Sequence, residues 1–342
     1  MRRVVFITQR IDADDPVLGA TVAKVRALAS HVDEVVVLCG SWRDDGLPGN
    51  VRVRTFGAPS QLGRGARLAA ALAQELRLRP FAVVAHMIPL YALIAAPLVR
   101  PLRVPLVLWY THWSDTTALR AAERASTAVA TVERRSFPFM SPKVRGIGHG
   151  IEVDAPCVDP PPSETLRLLV LGRYSRGKGL PVILRAQRLL LDRGVAVHLA
   201  MHGSASDADE RANLEELHRL RDELGLTDSV ELNGPAPHTH VPHLLRWADA
   251  LVSAHDSADK VVYEAAAACR PVIVSHAGFE ELVDEIEPPL LFRKGDAASL
   301  ADAIAAFATR ADRAAIGKLL RERVEAGHSA DHWAAAILSL AT

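Results

Sequence analysis

Short runs of consecutive apolar residues alternate along the chain with longer stretches in which apolar residues recur every three or four positions. The first run is Val4–Ile7, and similar runs follow at 35–38, 82–85 and 104–109. Continuous apolar strands separated by amphipathic helices are typical of βαβ units, in which a parallel sheet is covered on both faces. The pattern therefore predicts a doubly wound α/β domain in the front half of the chain.

The same alternation resumes after a proline-rich segment, APCVDPPPSET at residues 155–165. A segment with four prolines packs poorly and is expected to be an extended, stiff linker. Further strands are predicted at 168–171, 195–200, 229–232, 250–253 and 272–275, with helices between them. The chain is thus expected to form two Rossmann-like domains facing across a cleft, with the boundaries 1–155, 156–165 for the linker, 166–320, and 321–342 for a terminal helix that packs back toward the first domain.

Charge is balanced overall but not along the chain. The 342 residues include 40 Lys+Arg and 40 Asp+Glu, which gives no general attraction to nucleic acid. Residues 1–155 hold 20 basic and 13 acidic side chains. This basic half is compatible with an anionic acceptor, with weak peripheral membrane contact through the helix at 64–79, or simply with attraction between the two domains. We expect the helix to be an ordinary layer of its domain.

Membrane insertion and secretion are not expected from the sequence. The most apolar stretch, residues 81–99, is interrupted by His86, Pro89 and Pro97, so it predicts short elements and no membrane span. The beginning, MRRVVFITQRIDADD, predicts a first strand instead of a signal peptide. These features favour a cytoplasmic protein.

The cysteines are few and scattered along the chain. Cys39, Cys157 and Cys269 form no C-x-x-C pair. Their odd number and spacing predict neither a disulfide framework nor a zinc site, and they fit a reducing compartment.

The segment LGRYSRGKG, residues 171–179, concentrates three cations and three glycines between a predicted strand and a predicted helix. Gly172 allows a tight turn, after which Arg173 offers a bidentate fork and Lys178 a compact charge. The following helix directs the positive end of its dipole the same way. The combination predicts a diphosphate site, although a solvated basic turn would give the same pattern.

A second segment, residues 253–283, carries the complementary groups. Asp259 is a natural N-cap for a helix that begins at Lys260, which would leave the first amides of that helix free for phosphate oxygens. These amides belong to Lys260, Val261 and Val262. Glu264, one turn into the helix, could accept two hydroxyls of a ribose, and Asp256 could bind a sugar hydroxyl from the preceding loop.

Taken together, these motifs resemble glycosyltransferase family 4. The resemblance rests on Gly172-Arg173 followed by Lys178-Gly179, and on an acid eight residues before Glu264 ahead of Ala-Ala-x-x-x-x-Pro-Val-Ile. It implies the GT-B fold and transfer from a nucleotide-diphosphate sugar to a hydroxyl acceptor with retained anomeric configuration. By this resemblance the first domain would bind the acceptor and the second domain the donor.

The resemblance also implies roles for individual residues. Arg173 and Lys178 would bind the diphosphate, Glu264 the ribose and Asp256 the transferred sugar. His112, in WYTHW, would contact that sugar from the first domain, where the loop at Gly19 would approach the phosphates. The resemblance places residues 238–243, HTHVPH, near the nucleotide base, and no metal or other cofactor is expected. Because Asp256–Lys260 departs from the family pattern, a catalytically silent nucleotide-binding protein stays an alternative, and a sugar-nucleotide epimerase a weaker one.

Overall fold

The computed structural model describes residues 2–43, 46–112, 114–134, 137–255 and 259–342. The chain forms two compact α/β units. The first consists of Met1–Glu152 together with Gly327–Thr342, and the second of Val153–Ala326. Within the described ranges, no helix is both long and apolar enough to cross a membrane.

The first unit is built on a parallel sheet of seven strands. The strands are β1 (Arg3–Ile11), β2 (Glu34–Trp42), β3 (Val51–Thr55), β4 (Ala82–His86), β5 (Leu106–Trp109), β6 (Ala128–Thr131) and β7 (Val144–Gly146). Their order is β3-β2-β1-β4-β5-β6-β7. The helices of this unit are α1 (Thr21–His31), α2 (Gln61–Leu76), α3 (Pro89–Val99), α4 (Thr117–Ala125) and, from the end of the chain, α12 (Ala330–Ser339).

The apolar strands of this sheet are buried on both faces. One face packs against α2, α3 and α4, and the other packs against α1 and α12. Trp333 of α12 is fully buried and meets the ring of Trp109 edge-on, with centroids 5.6 Å apart. The last sixteen residues of the chain therefore contribute core to the first unit.

The sequence pattern did not distinguish β3 as a strand, and the structure shows why. Its sequence, VRVRT, alternates instead of forming an apolar run, because β3 is the edge strand. Arg52 and Arg54 on this strand form ion pairs of 2.7 and 2.6 Å with Glu75, a nearly buried carboxylate on α2. The sequence of an edge strand with one polar face alternates between apolar and polar residues, so it contains no continuous apolar run that would predict a strand.

The second unit has a parallel sheet of five strands. They are β8 (Leu166–Leu171), β9 (Val197–His202), β10 (Val230–Asn233), β11 (Ala250–Ser253) and β12 (Val272–Val274), in the order β10-β9-β8-β11-β12. The helices are α5 (Leu180–Asp192), α6 (Ala208–Glu223), α7 (Val241–Trp247), α8 (Lys260–Ala267), α9 (Glu280–Val283), α10 (Ala297–Ala308) and α11 (Arg313–His328), whose last two residues are counted with the first unit.

The strand order of the second unit marks one position as special. The chain proceeds outward from β8 to β9 and β10, then returns to place β11 on the other side of β8. Ligands of doubly wound sheets bind outside the carboxyl ends of the strands, where the winding direction reverses. The loop after β8 and the loop after β11 flank that position.

The cysteine prediction was wrong. The structure joins Cys157 and Cys269 in a disulfide, with Cα atoms 5.3 Å apart and a sequence separation of 112. The linker segment carrying Cys157 runs beside the end of α8, a proximity that spacing along the chain cannot reveal. The argument from cysteines for a reducing compartment therefore no longer stands. Cys39 is free and buried, and burial raises the pKa of its thiol to about 12.

Candidate functional site

The loop after β8 folds back tightly over the end of its own strand. Gly172 has φ +134°, and a Cβ there would lie 2.5 Å from Nζ of Lys178. Gly179 has φ +63°, and a Cβ there would lie 2.6 Å from the carbonyl oxygen of Ala254, just after β11. Both positions combine a left-handed backbone with a collision, so each requires glycine. The two glycines let the loop press against the end of β11.

Lys178 is held at the beginning of α8. Its ammonium forms an ion pair with the carboxylate of Asp259, and the two side chains are only 12% and 13% exposed. Asp259 is the N-cap residue of α8, as predicted, but its side chain makes no capping hydrogen bond. The carboxylate is oriented by Lys178 instead, so the cation from one loop is fixed against the helix that follows the other loop.

The other two cations of the loop point elsewhere. Arg173 was predicted beside α8 together with Lys178. The structure pairs it with Glu210 of α6 at 2.9 Å, with the arginine side chain 53% exposed and the glutamate almost fully buried. Arg176 pairs with Glu216, also on α6, at 2.9 Å. Of the three cations, only Lys178 is paired with a residue at the start of α8.

The first amides of α8 are not all free. The amide of Val262 donates to the carbonyl oxygen of Asp259 at 3.2 Å, so the prediction that it faces a phosphate was wrong. The amide is used because the first turn of α8 closes with a 3₁₀-type hydrogen bond between residues three apart, as is common at helix ends. No acceptor among the described residues is seen for the amides of Lys260 and Val261.

Glu264 lies one turn into α8, as predicted. Its Oε1 accepts from Nζ of Lys260 at 2.6 Å and contacts Nε2 of His238 at 3.1 Å. Burial raises the pKa of this carboxyl, but Lys260 and His238 outweigh it and hold the pKa well below its ordinary value. The carboxylate is thus ionised, and its Oε2 accepts from none of the residues the structure describes.

Sequence reasoning missed two of the contacts that shape this region. His238 was expected near a nucleotide base, but its contact with Glu264 was not foreseen. The second contact that was not foreseen is that of Tyr174, which is buried and whose hydroxyl donates to the carbonyl oxygen of Asn233 at 2.7 Å. Burial raises the pKa of this hydroxyl, so it remains a donor. Tyr174 anchors the loop after β8 to the end of β10. In the sequence, the only signal of this role was an aromatic residue among the glycines and cations of the loop.

The remaining predicted residues are Asp256 in the second unit and His112 and Gly19 in the first unit. Asp256 falls outside the described residues, and its role stays a prediction. His112, after β5 of the first unit, is exposed, and Oγ of Ser114 lies 2.9 Å from its Nδ1. Gly19 is buried in the loop before α1, where its amide donates to the carbonyl of Asp15 at 2.9 Å.

Metal ligands of the usual kinds do not converge in the part of the chain that the structure describes. No group of three His, Cys, Asp or Glu side chains there is arranged to hold a metal ion. The positive charge near α8 comes from Lys178, Lys260 and the amino end of the helix itself.

Sequence comparison relates this chain to a family and to individual proteins that are named glycosyltransferases. Residues 165–310 match the family described as Glycosyl transferases group 1, which confirms the resemblance to glycosyltransferases for the second unit. A D-inositol 3-phosphate glycosyltransferase of Corynebacterium jeikeium is 31% identical over 192 residues, which are 49% of this chain and 46% of that protein. A putative colanic acid biosynthesis glycosyltransferase, WcaL of Escherichia coli, is 31% identical over 48% of this chain and 42% of its own length. The chain thus spans less than half the length of these curated relatives.

Solved structures extend the likeness to both units. Sucrose-phosphate synthase from Thermosynechococcus elongatus matches with a TM-score of 0.76 at 18% identity, covering 99% of this chain and 98% of that one. Anabaena HepE in complex with UDP and glucose also matches with a TM-score of 0.76 at 18% identity, covering 99% of each chain. At identities this low the matches establish the fold alone, and they confirm the predicted GT-B fold.

Proposed function

We propose that this chain, a glycosyltransferase family 4-like protein of the GT-B fold, transfers a sugar from a nucleotide-diphosphate sugar to a hydroxyl acceptor with retained anomeric configuration. The observation that carries the proposal is the placement of Lys178 by Asp259 at the amino end of α8, one turn before Glu264. A cation for phosphate thus lies at the amino end of the same short helix that carries a carboxylate for ribose, where the winding of the sheet reverses. The family match and the relatives named glycosyltransferases support the same activity.

The phosphate end of the donor would meet Lys178. An ammonium has three donors, and Asp259 uses one of them, so two are left for phosphate oxygens. The amides of Lys260 and Val261 and the dipole of α8 add positive potential at the same end of the helix. We therefore expect the site to bind a diphosphate without a metal ion, and chelation with EDTA to leave transfer unchanged.

The ribose end of the donor would meet Glu264. Its ionised carboxylate has Oε1 fixed by Lys260 and His238 and Oε2 free to accept hydrogen bonds from sugar hydroxyls. Charge-assisted hydrogen bonds to a carboxylate are about twice as strong as neutral ones. Glu264 is therefore expected to distinguish a nucleoside diphosphate from pyrophosphate.

In the proposed reaction the bond between the anomeric carbon and the diphosphate oxygen breaks, and the acceptor oxygen bonds to the same face of that carbon. The acceptor proton passes to the departing phosphate. Lys178 would stabilise the charge that grows on this leaving group, and such preorganised donors contribute about 3–4 kcal/mol each. We further propose that Arg173 exchanges Glu210 for phosphate, that Asp256 and His112 contact the transferred sugar, and that the Gly19 loop approaches the phosphates.

A binding and turnover series tests the proposal. Uridine, guanosine, adenosine and thymidine diphosphates are screened by thermal shift, since a ligand at 100 times its Kd adds about 2.7 kcal/mol to the stability. Lys178→Met should weaken both the preferred nucleotide and pyrophosphate and lower transfer at least about 10²-fold. Arg176→Met, in the same loop but paired with Glu216, is the matched control and should keep both properties.

Glu264→Gln separates the two ends of the donor. It should weaken the nucleoside diphosphate but leave pyrophosphate binding near that of the wild type. Binding without donor hydrolysis or transfer to any hydroxyl acceptor would point to a silent nucleotide-binding protein. If none of the four nucleotides stabilises the protein, or if Lys178→Met and Arg176→Met behave alike, the proposal is wrong.

A further inference from the structure

A cavity of about 450 Å³ opens in the first unit, and none of the residues assigned above lines it. It lies beyond the carboxyl ends of β1 and β2 and is closed at the sides by the first turns of α2 and α3. Small-molecule sites generally have volumes of about 300–1,000 Å³ and favour the strand ends of such sheets. The cavity therefore has the size and place of a site for part of a small molecule.

The walls of the cavity are apolar and closely packed. Phe56, Leu68 and Tyr91 line it and are buried, and the rings of Phe56 and Tyr91 meet edge-on with centroids 5.7 Å apart. At its base two backbones touch, since a Cβ on Gly57 would lie 2.7 Å from the carbonyl oxygen of Gly40. Such a base has little freedom to collapse, so the apolar space is preformed and water in it is poorly satisfied.

The rim of the cavity is positive. Its described lining contains Arg10 and Arg64 and no carboxylate. Arg10 is neutralised by Asp15 at 2.7 Å and also donates to Ser41 at 3.2 Å. Arg64, exposed on the first turn of α2, has no ion-pair partner among the residues the structure describes.

The charge of Arg64 also acts on the phenol of Tyr91, which lines the same cavity. Burial raises the pKa of Tyr91 to about 12, and the charge of Arg64 acts in the opposite direction. The phenol therefore stays protonated and can donate a hydrogen bond. An apolar space with one unpaired guanidinium and one phenol at its edge matches a molecule that is apolar at one end and anionic next to it.

We infer that this cavity binds an amphiphilic organic anion, with a short alkyl or aromatic group inside and a phosphate or carboxylate at Arg64. That such a molecule is the acceptor rests on the proposed transferase function, whereas the binding itself does not. A fully polar acceptor would leave the walls formed by Phe56, Leu68 and Tyr91 without a partner. Inorganic anions would leave the same apolar space empty.

Calorimetry with alkyl phosphates measures the two halves of this recognition separately. The probes are butyl, pentyl and hexyl phosphate, with hexanol and inorganic phosphate as single-feature controls. Each methylene that enters the cavity should tighten binding about fourfold. Hexyl phosphate should bind more tightly than hexanol or inorganic phosphate alone.

Two pairs of variants on α2 locate the site. Gly65 lines the cavity, and a Cβ there meets only Cδ1 of Ile94 at an ordinary 3.6 Å, so larger residues fit without disturbing the helix. Gly65→Leu should fill the cavity and abolish the dependence on chain length, while Gly65→Ala should keep it. Arg64→Gln should weaken hexyl phosphate about tenfold and leave hexanol unchanged, whereas Arg77→Gln, at the far end of the helix, should change neither.

Nucleoside diphosphate binding, measured on the same samples, keeps this inference apart from the proposed function. If nucleotides bind but alkyl phosphates show no dependence on chain length, or if Gly65→Leu binds them like the wild type, the cavity assignment is wrong. If Gly65→Leu keeps nucleotide binding and loses both hexyl phosphate and transfer, the acceptor role is supported. If alkyl phosphates bind but no nucleotide does, the acceptor role fails.

Discussion

Replacing Gly172 with alanine perturbs the candidate site through the backbone alone. A Cβ at this position would lie 2.5 Å from Nζ and 2.7 Å from Cε of Lys178, closer than Cβ atoms approach any neighbour. The end of the lysine side chain must therefore move, and we expect this movement to break its ion pair with Asp259. Gly172→Ala thus removes the cation from the amino end of α8 while every charged residue stays in the sequence.

The expected magnitude has two parts. The φ of +134° lies where residues other than glycine are strained, at a cost of about 1–3 kcal/mol in the free energy of unfolding. Displacement of Lys178 removes one preorganised donor from the leaving phosphate, which costs about 3–4 kcal/mol of transition-state stabilisation, or 10²–10³ in turnover. Gly172→Ala should therefore be moderately less stable and severely less active.

Controls within the same unit separate the two parts. Gly194 also has a positive φ, +71°, but a Cβ there meets nothing within 4 Å. Gly194→Ala should lose about 1–2 kcal/mol of stability and no activity. Lys178→Ala should lose activity without the backbone strain. In the double variant, Gly172→Ala should still reduce stability but should lower turnover no further, since the two changes act on one interaction.

Urea denaturation gives the stability, and donor hydrolysis or transfer gives the turnover, with nucleoside diphosphate calorimetry as a check on binding. This prediction fails if Gly172→Ala retains the donor affinity and turnover of the wild type. It also fails if the losses in turnover from Gly172→Ala and Lys178→Ala multiply, because the glycine would then act independently of the lysine.

Three further predictions concern stability. Burial lowers the pKa of His86 from 6.5 to about 3, so on acidification the unfolded state binds a proton before the folded state does. The free energy of unfolding should therefore have its full value above pH 6.5 and fall by about 2 kcal/mol from pH 6.5 to 5. When urea denaturation is compared at pH 7 and 5, this fall should be smaller in His86→Gln. Loss of the link between Cys157 and Cys269 in Cys157→Ser should cost about 2–4 kcal/mol, and equal unfolding of the wild type with and without reductant would contradict this. Trp333→Ala should cost about 3–5 kcal/mol, measured in the same way, because the ring is fully buried against Trp109.

The parallel sheets could be predicted from the sequence because buried strands produce continuous apolar runs. Val4–Ile7 and Leu168–Leu171 both lie within central strands that are covered on two faces. The edge strand Val51–Thr55 was missed because only one of its faces is apolar. Two-sided burial is not sufficient for prediction, however: Ala128–Thr131 is buried at all four positions and was also missed, because this short run contains a single large apolar side chain, Val129.

The two loops of the candidate site could be selected from the sequence, but the contacts of their side chains could not. Three cations in one loop are visible in the sequence, whereas the acid that each one meets is set by the tertiary fold. Arg176 meets an acid 40 residues later, and Lys178 meets Asp259, 81 residues later. The disulfide was not predicted for the same reason, since its two cysteines are separated in sequence by most of the second unit.

The glycines of the loop after β8 explain why Lys178 differs from its two neighbouring cations. Gly172 lets the lysine stem pass directly over the strand end, and Gly179 lets the loop touch Ala254, which brings the ammonium to Asp259. An ordered lysine retains little of the rotamer freedom that a solvated one has, a difference of up to about 2 kcal/mol. A phosphate bound there, as proposed, would therefore meet a side chain that the fold has already fixed, which is the condition for preorganised electrostatic stabilisation.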